Sequence, residues 1–337
     1  MALDKNTDYP QYSLPESLIS RPIDILPVGN AMMEMIVKLS SKLDLWGQND
    51  ASISLPIYSA GGCATNVACV AARLGANVSI VCRIGDGRYS QPILEEYHRS
   101  GVGIDHVKHI KHLEGNLLII ATSVDGDWTA LSYMDSELEL HQDDIPPLDV
   151  FSNTKIMHID GFAYTSDRQK QAVETAIKYA RLAGCLISID AAVPVVNSQP
   201  DYVAELFSKC DLVFANKFEA QKITKMRELD DVIRILINSG PQVSFIKMGS
   251  KGSIVVTRDK ITHFSSFAID NIQDTLAAGD SYIAAVLTGL SNGNTLHECV
   301  QSGSAAGALA CLGSGSLSYH FDKNDIEALI QNQRRSI

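Results

Sequence analysis

Short apolar runs alternate with segments of helical period along most of this 337-residue chain, and that rhythm constrains its fold more than any other feature. Ile23 to Gly29 reads as a buried strand, followed by a glycine turn and helix over Gly61 to Gly75 with Val67, Val70, Ala71 and Leu74 on one face. A strand over Val78 to Cys82 precedes a helix over Ser90 to Ser100, and a strand over Lys155 to Ile159 precedes a helix over Arg168 to Leu182. Strands are expected again at Leu186 to Asp190, Leu212 to Ala215, Val243 to Met248 and Ser253 to Thr257, with a helix around Asp230 to Asn238. Helices starting near Ala278, Leu296 and Lys323 close the chain. Parallel strands need crossovers long enough to hold a helix, so this order implies βαβ units. The expected class is α/β, a mostly parallel central sheet flanked by helices, with ligands at the carboxyl ends of its strands.

Two regions break the rhythm. Met33 to Leu39 and Ser52 to Tyr58 look extended with no helix between them. Leu117 to Ser123 and Trp128 to Met134 flank Asp125-Gly126, a strong hairpin turn. Strands from two places outside the βα order predict a small accessory sheet. Three readings fit it: a lid over the site, a dimer surface, or an edge extension of the main sheet. A lid has a chemical purpose where water competes with a substrate hydroxyl.

Composition narrows the function. The formal charge of −11 argues against a general nucleic-acid or anionic-membrane binder, though not against a local basic pocket for ATP. No apolar run approaches the roughly 20 residues that cross a bilayer. Met1 to Arg21 is polar, lacks a signal-peptide pattern and reads as an N-terminal extension, with one domain over 22–337 and lid segments at about 32–59 and 112–136. The seven cysteines form no CxxC pair and the nine histidines no metal spacing, so free thiols in a reducing cytoplasm are expected.

The chemistry concentrates at Asp274-Thr275-Leu276-Ala277-Ala278-Gly279-Asp280, just before a helix with Ile283, Val286, Leu287 and Leu290 on its apolar face. A helix start offers unpaired N–H groups and a positive dipole end, and small side chains let an anion approach them. Asp280 stands beside that cradle, which suggests phosphoryl transfer to a hydroxyl; alone, it also fits an acidic residue stabilising a helix dipole. Gly61-Gly62 before a helix carrying Asn66 suits either a polyol contact or an ordinary helix start. Asn216 and Glu219 have capping-box spacing, or organise Mg²⁺ and its waters at a strand end. Lys247 to Gly252 is a hairpin turn or a loop beneath a nucleotide. Neither GxxxxGK[ST] nor GxGxxG occurs, so any nucleotide is held in another way.

Taken together, Gly61 to Gly75 (GG-x₃-N-x-A-x₃-A-R-L-G), Gly85-Asp86, Asn216-x-x-Glu219, Lys247-x-Gly249-x-x-Gly252 and Asp274 to Asp280 resemble, in order and spacing, the ribokinase/PfkB family of carbohydrate kinases. The resemblance covers roughly Ile23 to Ile330. It implies a ribokinase-like α/β domain with a small β lid and an ATP-dependent sugar kinase. Asp280 matches the catalytic base and Ala277, Ala278 and Gly279 the anion hole for the γ-phosphoryl group. Asn216, Glu219, Lys247, Gly249 and Gly252 match the ATP side, with Glu219 acting on Mg²⁺ indirectly. Glu34, Gly61, Gly62 and Asn66 match substrate contacts, together with Asp280. Asp274 and the backbone of Leu276 match a K⁺ site, and a homodimer through the lid strands is implied. Ala277 stands where the commoner form has Gly, a change that is harmless if φ there stays negative. Glu34 replaces the usual sugar-binding Asp, and Asp190-Ala191-Ala192-Val193 replaces Asp-Pro-Asn-x-Arg. With no extra basic cluster in view, the expected acceptor is a small unphosphorylated carbohydrate. A nucleoside kinase and a non-catalytic sugar- or nucleotide-binding regulator are the alternatives; Trp46, Tyr58, Trp128 and Tyr133 are the candidate lid aromatics for stacking a base.

Overall fold

The computed structural model describes residues 10–40, 52–122 and 128–335. Its main sheet has seven strands in the order Ile23–Val28, Thr154–Ile159, Leu186–Asp190, Leu212–Asn216, Val243–Lys247, Ser253–Thr257 and Ile261–Phe264. The first five are parallel, joined by helical crossovers, and the last two add antiparallel. Apolar cores lie on both faces, as a buried parallel sheet requires. The carboxyl ends of the parallel strands therefore form one edge, where Asp160, Asp190, Asn216 and Lys247 follow or end successive strands.

The accessory strands form a separate four-stranded sheet, ordered Ile57–Gly61, Met32–Lys38, Leu117–Thr122, Trp128–Tyr133. It is not an edge extension of the main sheet. The hairpin expected around Asp125-Gly126 is present as the antiparallel pair Leu117–Thr122 and Trp128–Tyr133; the turn itself, like Trp46, lies outside the described residues.

Several boundaries move. The second lid strand is Ile57–Gly61, preceded among the described residues by an isolated bridge from Leu39 to Ile53, so Gly61 ends a strand and Gly62 caps the helix Cys63–Arg73. The strand expected at Val78 to Cys82 is instead two single bridges to the first strand, followed by Cys82–Gly85 paired with Val107–Ile110. Leu14 and Leu18 of the N-terminal segment are buried, and the Arg21 guanidinium donates to the carbonyls of Phe151, Thr154 and Ala183.

The helix Ala278–Ser291 is the interior one, with every residue from Asp280 to Ser291 buried. Tyr282 fixes its height over the sheet. Its ring meets Phe214 and Phe245 edge-on, and those two rings stack 4.4 Å apart on neighbouring strands. The Tyr282 hydroxyl shares a hydrogen bond with Ser253 Oγ. Apolar contacts deep in the sheet thus set where Asp280 stands.

Candidate active site

Asn66 lies one turn into Cys63–Arg73, and Asp280 lies in the first turn of Ala278–Ser291. These helices pack together, so residues 214 positions apart meet: Asn66 Nδ2 donates to Asp280 Oδ2 at 2.7 Å. Asn66 Oδ1 is buried and has no partner. A buried amide oxygen left in this way costs on the order of 1–3 kcal/mol until a donor reaches it. Burial pushes the Asp280 carboxyl up to about 7; the Asn66 bond opposes this, and the negative charge of Asp190 adds to it.

The glycines before Asn66 have steric reasons. Gly62 has φ +94°, and a Cβ there would press on the Asn30 carbonyl at 2.7 Å. A Cβ on Gly61 would overlap the Glu34 carboxylate. Glu34 is itself sealed on the lid strand, where its Oε1 accepts from Ser316 Oγ at 2.7 Å and its Oε2 from Ser316 N at 3.2 Å. Burial raises its carboxyl to about 7. Ser316 was not singled out from sequence; its one signal is the Gly313-Ser314-Gly315-Ser316 run, a composition that marks a tight loop.

Ala277 corrects an expectation. It caps the helix with φ +53° and ψ +10°, so an alanine holds the left-handed conformation that glycine adopts freely. This turn presents the first-turn amides of Ala278–Ser291, among which Gly279 and Asp280 have no carbonyl four residues back within the helix. Asp274 ties the turn down: its Oδ1 accepts from Leu276 N at 2.9 Å and its Oδ2 from Gly315 N at 2.8 Å.

On the other side, Asn216 ends its strand in register with Lys247. Asn216 Oδ1 accepts from Glu219 N at 2.9 Å and Glu219 Oε2 accepts from Asn216 N at 2.7 Å, a complete capping box. Glu219 is buried, and its carboxyl is raised by burial and then by Asp190. Lys247 Nζ reaches Asp190 at 3.0 and 3.2 Å. Gly249–Lys251 is a short 3-10 turn between two antiparallel strands, so the hairpin is present. Asp160 is also buried, accepts the amides of Asn30 and Phe162, and is raised by burial to about 6. Asn30 donates to the Phe162 carbonyl and accepts from Gln169, so both polar ends of its side chain are occupied.

The geometry brings Asn66, Asp280, Gly279, Lys247, Asp190 and Glu219 to one edge of the sheet. The family model for PfkB family carbohydrate kinases matches residues 25–320, and the chain belongs to that family, a family of phosphotransferases. Among curated relatives, 5-dehydro-2-deoxygluconokinase of Geobacillus thermodenitrificans is 25% identical over 303 residues, covering 86% of this chain and 87% of its own. An E. coli protein described as a ribokinase II, in complex with ATP and Mg²⁺, superimposes with a TM-score of 0.81 at 18% identity, over 92% of this chain and 99% of that one. Adenosine kinase from Sinorhizobium meliloti gives a TM-score of 0.79 at 21% identity, over 94% of this chain and all of that one. The ribokinase-like fold, with its mostly parallel sheet and separate small sheet, is thereby shown. No helix among the described residues is long and apolar enough to cross a membrane.

Proposed function

We propose that this chain transfers the γ-phosphoryl group of ATP to a hydroxyl of a small unphosphorylated carbohydrate. One observation carries the reading. Asn66 and Asp280 meet in a buried contact, with Asn66 Oδ1 left facing no donor. A polyol satisfies both residues: the reacting hydroxyl passes its proton to an Asp280 oxygen, and a neighbouring hydroxyl donates to Asn66 Oδ1. A base raised to about 7 ionises near neutral pH, where general-base catalysis works best. Amides of 277–279 then face the charge of the transferring group. Glu34, Gly61 and Gly62 shape the acceptor side, and Asn216, Glu219, Lys247, Gly249 and Gly252 the ATP side. The acidic side chains of Glu34 and Asp280, negative once ionised above about pH 7, disfavour a phosphorylated acceptor.

Among the described residues no group of three or more His, Cys, Asp and Glu side chains is placed to hold a metal. Glu219 nevertheless fits Mg²⁺ held mainly by phosphates and water, because it is a buried carboxylate beside Asp190 and Asp280. When bound, Mg²⁺ offsets phosphate charge. Asp274 fits a K⁺ site together with the Leu276 backbone, since each of its oxygens accepts one amide and keeps a further lone pair. Tyr58, Leu131 and Tyr133 lie exposed on the lid and support a homodimer through it. A nucleoside acceptor is the second reading, in keeping with the adenosine kinase likeness, but Tyr58 and Tyr133 project from the lid face opposite Glu34 and do not carry it. The free thiols fit a reducing cytoplasm.

The test is ADP release by purified protein with Mg²⁺ and ATP against pentoses, hexoses, ketoses, sugar acids, sugar phosphates and nucleosides, in K⁺ and in Na⁺. A neutral sugar supporting turnover is expected. Preference for a sugar phosphate would overturn the acceptor class, and equal rates in both salts would remove the K⁺ site.

A further inference from the structure

Lys247 and Asp190 form a buried ion pair at the carboxyl-end edge of the main sheet. Asp190 and Lys247 end strands that flank Leu212–Asn216, so the lysine reaches across the end of the strand that carries Asn216. Side-chain exposure is 16% for Lys247 and 7% for Asp190. A pair this buried is costly to desolvate, so it is weak as a device for stability alone. Its place is more informative. A Cβ added to Gly279 would lie 3.3 Å from Lys247 Nζ and within 3.9 Å of the last methylenes of its stem. The ammonium therefore sits against the first-turn backbone already assigned to the anion hole. Its charge also acts on Asp280 and on Glu219. An ammonium has three N–H donors, and the two oxygens of Asp190 engage at most two of them. The third donor remains for an anion lying on Gly279, and Lys247 offsets part of the negative charge that Asp190, Glu219 and Asp280 place there.

We propose that Lys247 is a catalytic residue: its ammonium contacts a non-bridging oxygen of the transferring γ-phosphoryl group beside the Gly279 amide, and Asp190 is the positioning residue that holds it there. This role rests on the kinase reading above. In the step, the bond from the γ-phosphorus to the β,γ-bridging oxygen breaks, and its electron pair leaves with ADP. The acceptor oxygen forms the new bond to phosphorus and its proton goes to Asp280. Lys247 stays protonated throughout, so its contribution is charge placed where negative charge shifts in the transition state. Lys247 brings this cation to Asp190 from a strand two places away in the sheet.

The test compares wild type, Lys247→Met, Asp190→Asn and the double variant, in which no buried charge is left unpaired. With Mg²⁺, ATP and whichever acceptor in the panel wild type turns over, Lys247→Met and the double variant are expected to lose about 10²–10³-fold in kcat, with the KM for ATP changing less than about threefold. Asp190→Asn is expected to lose about tenfold in kcat by loosening the lysine, again with little change in KM. A second readout needs no turnover. MgADP with aluminium fluoride, a mimic of the transferring group, should bind wild type more tightly than MgADP alone, and Lys247→Met should lose that gain while keeping MgADP affinity. A raised KM with unchanged kcat would make Lys247 a ground-state nucleotide contact and overturn the role. Unchanged kcat and KM in a working enzyme would overturn it too, leaving the kinase reading intact. No turnover by wild type with any acceptor would overturn the kinase reading and this role with it.

Discussion

Asp280→Asn separates burial from catalysis in one substitution. The Asp280 carboxyl rises from the usual 3.8 to about 7, chiefly through burial. At about 1.4 kcal/mol for each tenfold change in proton affinity, roughly 4 kcal/mol is set against the ionised form. The sign follows from proton counting. Between pH 4 and 7 the folded chain holds this proton more tightly than the unfolded chain, so wild type loses stability as pH rises towards 7. Asparagine keeps an oxygen for Asn66 Nδ2 but does not titrate. An unpaired side-chain N–H at position 280 offsets the gain by about 1–2 kcal/mol at every pH and cancels in a comparison between two pH values. The stability advantage of the variant should therefore grow by roughly 3 kcal/mol between pH 5 and pH 8. With an unfolding entropy near 2.1 cal/mol/K per residue, a chain of this length loses about 1 °C in Tm for each ~0.7 kcal/mol. The difference in Tm should then widen by about 4 °C, measured by calorimetry without nucleotide. Above pH 7 turnover should fall about 10²–10⁴-fold, and the gap should narrow at lower pH as the wild-type base becomes protonated. A Tm difference that stays flat or narrows from pH 5 to 8 would refute the burial of an ionising carboxylate, and near-normal turnover would refute its role as base.

In wild type, log kcat/KM should fall as pH drops through about 7, because the base must be ionised; a flat profile from pH 5.5 to 8 would count against Asp280. Ala277→Gly should gain about 0.5–1 kcal/mol, since φ +53° strains alanine more than glycine's extra chain entropy costs, and loss of stability would show that the turn needs the methyl group. Gly61→Ala should lose about 1–3 kcal/mol and lower kcat/KM, because the new methyl displaces the Glu34 carboxylate; unchanged kinetics would place Glu34 outside acceptor binding. Leu131→Asp on the exposed lid face should convert a dimer to monomer in sedimentation, and a wild-type chain that is monomeric at tens of micromolar would remove the dimer proposal.

The fold class, the separate small sheet and the paired motifs were legible because they depend on local pattern. Helical and strand periods decide which segments can bury an apolar face, and each motif is a short run at a helix or strand end. That is why Gly61 to Asn66, Asn216 to Glu219 and Ala277 to Asp280 could be read one by one, and why the helix start at Ala278 fell where expected. The partners in the site were not legible in this way. Glu34 and Ser316 are 282 residues apart, and Lys247 and Asp190 are 57 apart. Sequence spacing carries no signal for such pairs; strand order and the docking of helices create them. The φ of Ala277 was likewise hidden, since nothing in an Ala-Ala pair announces a left-handed turn. The alternation of strand and helix, and the small residues before Asp280, were determined by the chain alone, because backbone geometry and burial act over a few neighbours. Only the tertiary structure decided that Asn66 holds Asp280, that Ser316 seals Glu34, and that Lys247 lies on Gly279, because each contact exists only when distant elements share one sheet edge.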